Sequence, residues 1–171
     1  MTAPAKMGHD DISERDLYVL ELPDPGLDEG FTPPSPHFGC FLAMDATRVP
    51  DDVIRVFARG LLGAGAAYFA TWGPDCERVH DLIDEEDHVL NGLRGDDDVI
   101  MTSWLDGQSL DEAIWESVYV AFPAPCYEST CQSLVAIVVG RPDWAKQARE
   151  RYSDLPGLNQ DVVGPEDETS V

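Results

Sequence analysis

Four segments between His37 and Leu155 repeat one plan: a short apolar run, a polar turn, then a stretch with helical periodicity. The runs are Phe38–Met44, Ala66–Trp72, Val99–Trp104 and Leu134–Val139. Each is too short for a typical helix and too apolar throughout for a strand with one wet face. Strands buried on both faces and alternating with helices pack as a parallel sheet between helical layers. The pattern therefore predicts an α/β fold: a three-layer, Rossmann-like sandwich with a mainly parallel sheet of four to five strands. Sheets of this kind carry ligand sites at the strand ends that lead into helices.

Helix boundaries are written in local chemistry. Pro50 with Asp51 and Asp52 starts the first helix, and Val53, Ile54, Phe57, Leu61 and Leu62 form its apolar face. Gly73-Pro74-Asp75 starts the second, with Cys76, Val79, His80 and Ile83 on one face and a stop at Asn91-Gly92. Ser109-Leu-Asp-Glu112 is a capping box for the third, whose stripe is Leu110, Ile114, Val118 and Phe122. Arg141-Pro142-Asp143 opens the fourth, followed by Trp144, Ala148 and Tyr152 on one side.

Outside these units the chain changes character. Residues 1–36 read as an N-terminal arm: a loose start, a candidate edge strand over 17–22, then a connector rich in proline that ends in Pro33-Pro34-Ser35-Pro36. Residues 37–155 read as the α/β domain, and 156–171 as an acidic tail. No apolar h-region follows the first methionine and no run approaches a membrane span, so the expected location is the cytoplasm. The four cysteines are then reduced thiols rather than a disulfide framework.

The formal net charge of −22 bears on partners. Nucleic-acid phosphate and anionic membrane would both be repelled, so neither is expected. A solvated acidic coat, adaptation to a salty host and a surface that docks a basic protein all remain consistent with it. Lys6 and Lys146 are the only lysines.

Candidate chemistry follows from the strand-end rule. Those turns carry Asp45, Thr47 and Arg48; Trp72, Asp75 and Cys76; Trp104, Asp106 and Gln108; and Arg141 with Asp143. Trp72 and Trp104 at equivalent ends, each followed closely by an acid, could line a pocket with Asp45 and Asp106 at its mouth. Equally, the two indoles could cap the core while Asp75 and Asp106 start helices or turns. Cys76 lies in a first helical turn, where the dipole favours a thiolate, and His80 is one turn on as a base. Burial and the flanking Asp75 and Glu77 oppose that reading. Cys126 and Cys131 have neither thioredoxin nor zinc-knuckle spacing, so no metal site is expected. Gly60-Leu-Leu-Gly-Ala-Gly65 follows a helix instead of a strand, the reverse of a dinucleotide fingerprint, and no cofactor is implied.

The block Thr102–Trp115, continuing through Ala121-Phe-Pro to Tyr127, Thr130-Cys131 and Val135–Gly140, resembles a small bacterial domain family of unknown function over about residues 37–145. The resemblance implies a bacterial, cytoplasmic, stand-alone domain and transfers no activity. It adds Tyr127 to the residues of interest. Two functions are expected. The first is a non-enzymatic protein-binding or accessory protein whose acidic surface meets a basic partner. The second is a small-molecule hydrolase or transferase using Asp45, Asp106 and Cys76 at the strand edge. Oligomeric state is not readable from the sequence.

Overall fold

The computed structural model describes residues 3–164. Its elements run β1 (Ala5–Asp10), β2 (Arg15–Leu22), β3 (His37–Met44), α1 (Asp51–Gly63), β4 (Ala66–Trp72), α2 (Cys76–Asn91), β5 (Met101–Trp104), α3 (Leu110–Tyr119), β6 (Cys131–Val139), α4 (Pro142–Ser153) and α5 (Leu155–Val163), with a single 3-10 turn over Pro125–Tyr127. The strands form one sheet in the order β1-β2-β6-β3-β4-β5. Only the β1–β2 pair is antiparallel. A mainly parallel α/β sandwich is thus what the chain adopts, with six strands among the described residues where the pattern predicts four to five.

Two apolar layers hold it together, one on each side of the sheet. Leu42, Phe69, Val135 and Ile137 meet Ile54, Phe57 and Leu61 of α1 and Val79 and Ile83 of α2. On the other side Phe41, Tyr68, Leu134 and Ala136 meet Ile114 and Val118 of α3 and Ala148 and Tyr152 of α4. Strand side chains alternate between the two layers, which is why these strands are apolar throughout. No helix among the described residues is long and apolar enough to cross a membrane.

The additional strands come from the N-terminal arm. The 17–22 segment is not an edge: β2 lies between β6, its parallel neighbour, and β1. The stretch read as a loose start contains β1, paired antiparallel from Ala5↔Val19 to Asp10↔Arg15 with a bulge near Met7. At the other end, Leu155–Val163 is helical where an acidic tail was expected. Pro156 sits in its first turn, and the Asp154 carboxylate accepts the Gly157 N–H at 3.0 Å. Residues 165–171 of that tail lie outside the described residues.

Phe122 corrects the third helix. The capping box is present, Ser109 accepting from the Glu112 N–H and Glu112 from the Ser109 N–H, but α3 ends at Tyr119. Phe122 lies beyond the helix and is 48 % exposed. The run Val99–Trp104 is likewise not buried on both faces. Only Met101–Trp104 form β5, and its outer position leaves Met101 and Trp104 about half exposed.

Candidate functional site

Strand order reverses between β3 and β6, the crevice where open α/β sheets place ligands. The strand ends there bring Asp45 and Arg141 into mutual range. Asp45 accepts hydrogen bonds from the Thr47 N–H (3.1 Å) and hydroxyl (2.6 Å). Those bonds, helped by the charges of Arg141 and Arg48, hold its carboxyl below the usual range. Arg141 grips Asp143 through Nε (3.0 Å) and a terminal nitrogen (2.8 Å), and lies 3.9 Å above the Trp144 ring. Trp144 meets Trp72 edge-on at 4.8 Å, and the Trp72 indole N–H donates to the Gln108 carbonyl at 2.9 Å. Gly73, with φ +113°, seals this end: a Cβ there would sit 2.3 Å from the Met44 carbonyl oxygen. The rim is therefore largely occupied by its own side chains.

The other rim candidates are not gathered into one pocket. A cavity of ≈ 250 Å³ beside β4 is lined by Trp72, Gly73, Pro74, Leu105, Asp106, Gly107 and Gln108, without Asp45 or Trp104. Trp104 pairs in register with Thr71 and so shares its face, opposite to Trp72. There it meets His80 of α2 edge-on, with the ring centroids 4.6 Å apart. Asp75 precedes α2 in the left-handed region (φ 67°), and its carboxylate accepts from Arg78 Nε at 2.7 Å. Tyr127 is at the opposite rim, where strands begin: its ring lies 4.8 Å from His37, the first residue of β3. Its hydroxyl accepts from Arg94 at 3.0 Å and donates to the Asp98 carbonyl at 3.1 Å.

Cys76 is not set up as a nucleophile. Its side chain is buried, and desolvation together with the Asp106 charge pushes the thiol up. His80 faces elsewhere. Its Nδ1 lies 2.9 Å from Asp81 and its Nε2 3.1 Å from the Thr102 hydroxyl, which donates to Asp84 at 2.7 Å. Both ring nitrogens of His80 are thus engaged by Asp81 and Thr102. Among the described residues, no group of three or more His, Cys, Asp or Glu side chains could hold a metal ion.

That His80–Thr102–Asp84 linkage marks a feature not expected from the sequence: the open flank of β5. Leu105 N–H donates to the Thr71 carbonyl of β4 at 2.9 Å. By alternation Met101 and Ser103 also turn their backbone groups toward β4, and Thr102 and Trp104 turn theirs outward. Exposed apolar side chains lie on both faces of this flank: Met101 with Val120 and Phe122 on one, Trp104 on the other. One groove, ≈ 150 Å³, runs between β5 and the end of α3, with Met101, Glu116, Val120 and Phe122 in its wall. A second, ≈ 420 Å³, lies toward the end of α2 and includes Asp84, Leu93, Ile100 and Met101. Both grooves touch Met101 and Thr102.

The fold and this flank define an α/β sandwich domain whose sheet is open at β5. The chain belongs to the family described as domain of unknown function DUF7684, whose model matches residues 18–155, from within β2 to the first residue of α5. No curated protein and no solved structure matches it.

Proposed function

We propose that this is a protein-binding accessory domain that engages a basic partner, working in a reducing cytoplasm. The observation that carries the reading is the apolar groove of Met101, Val120 and Phe122 beside the open strand, with exposed Trp104 on the strand's other face and Asp84 and Glu116 at the border. A clustered apolar surface with a polar border is the usual anatomy of a protein interface. The net charge of −22 supports a basic partner, since complementary fields raise encounter rates and reject like-charged competitors. Free Cys40, Cys76, Cys126 and Cys131 support a reducing compartment.

A small-molecule hydrolase or transferase at the strand ends is the second reading. It draws on Asp45 and Arg141 at the point where strand order reverses. One experiment separates the two. Affinity purification compares wild type with Met101→Lys at the flank and with Asp45→Ala/Arg141→Ala at the rim. A partner kept by wild type and by the rim variant, and lost from Met101→Lys, is the expected result. A partner lost only from the rim variant, or no partner retained at all, would overturn the protein-binding reading.

A further inference from the structure

Among the described residues the sheet ends at β5 with its outer edge unpaired, and the surroundings of that edge are organised on both sides. Side chains at Thr102 and Trp104 face α2. Thr102 is held by His80 and Asp84, and Trp104 meets the His80 ring edge-on. Met101 and Ser103 face the other way, into the groove closed by Glu116, Val120 and Phe122. A strand laid against β5 would send successive side chains alternately into these two grooves. Each groove offers apolar surface, Phe122 and Val120 in one and Leu93 and Ile100 in the other. Each also carries a carboxylate near β5, Glu116 or Asp84. Glu116 accepts an amide hydrogen bond from Gln108 (2.7 Å), and Asp84 accepts a hydroxyl bond from Thr102 and lies 3.5 Å from His80 Nε2, so among these contacts neither carboxylate meets a guanidinium or ammonium.

We propose that the open edge of β5 takes up an extended peptide segment, with basic and apolar side chains on both of its faces, as a seventh strand of the sheet. This rests on the protein-binding reading and specifies its mode. Main-chain bonds to the outward groups of Thr102 and Trp104 give the affinity, and the two grooves give the selectivity. Charge complementarity selects the occupant. A second copy of this chain would set Asp84 and Glu116 of two molecules, each of net charge −22, against one another across the new pairing. A segment bearing arginine or lysine places a cation beside each carboxylate instead.

The test uses the full chain and an eight-residue peptide in which pairs of arginines alternate with pairs of valines, so that each face carries both, followed by calorimetry and by residue-resolved backbone hydrogen exchange. The expected result is binding with slowed exchange at the Thr102 and Trp104 amides. Affinity should fall at least about tenfold in Met101→Lys, which places a cation in the groove beside Val120 and Phe122, and by a similar factor in Asp84→Asn/Glu116→Gln. Circular dichroism and thermal unfolding verify that both variants fold. The fully N-methylated peptide, with the same side chains and charge but no N–H to donate, should bind at least about tenfold more weakly. Strand addition is overturned if the peptide fails to bind, if it binds without protecting those amides, or if the N-methylated form binds equally well. It is also overturned if the protein alone dimerises with the same amides protected. Any of these, with a partner still lost from Met101→Lys in the purification, removes the mode and leaves the protein-binding reading standing.

Discussion

Gly39 shows how one missing side chain shapes the core. A Cβ at this position in β3 would lie 2.1 Å from the Tyr68 ring, so the ring of Tyr68 occupies the space a side chain would take. Tyr68 is fully buried, and desolvation pushes its hydroxyl well above the ordinary range. That hydroxyl accepts from Arg15, a buried cation that also donates to the Val118 carbonyl at 2.7 Å and lies 5.0 Å from the Phe122 ring. Gly39→Ala should therefore cost about 1–3 kcal/mol through overpacking, read as a lower midpoint in urea unfolding. A change near zero would mean that Tyr68 can leave its place freely. Glycine inside a strand-like run hints at close approach. Which ring approaches is not legible, because Tyr68 is distant in the chain and only the β3–β4 register, Gly39↔Tyr68, brings it there.

Between elements, the tie from α3 to α4 carries a pH dependence. Asp111 accepts from Arg151 Nε at 2.9 Å and from the Gln147 amide at 2.8 Å. The Arg151 bonds, reinforced by Gln147, hold its carboxyl below the ordinary 3.8. A carboxyl whose folded pKa is depressed contributes stability that is complete above its unfolded pKa and is lost as pH falls through the lower folded value. Asp111→Asn should thus lower the unfolding midpoint at pH 7 and shrink the further loss between about pH 4 and pH 2. Urea titrations across that range check it, and parallel curves for the two proteins would remove Asp111 from the acid limb. The capping box at Ser109 and the Gly73-Pro74 start of α2 were visible as local chemistry. β1 was not, since Lys6, His9 and Asp10 give it no apolar signature and only pairing with β2 makes it a strand.

For the molecule as a whole, burial sorts the thiols. Cys40 and Cys131 are pushed up by desolvation, Cys131 to about 11, and Cys76 is also raised. Cys126 is exposed. Iodoacetamide should alkylate Cys126 first in the native protein, with the other three reacting only on unfolding, as peptide mass spectrometry would show. Rapid native labelling of Cys76 would revive it as a reactive group. The position of Cys76 after Pro74 suggests an activated thiol, and the packing of α2 against the sheet reverses that.

Periodicity and caps by themselves determined the class of fold, most helix starts and the positions of β3, β4 and β6, because 3.6-residue and continuous apolar patterns are properties of contiguous chain. β4 occupies the residues its apolar run marked out, Ala66–Trp72. Register and strand order were decided only by tertiary pairing. Thr71↔Trp104 places Trp104 on the side of the sheet away from Trp72, and the outer position of β5 turns an apparently buried run into an open edge. A strand's sequence records how apolar its two faces are. Which neighbour each face meets, and whether its hydrogen bonds are taken up, depends on residues far away in the chain.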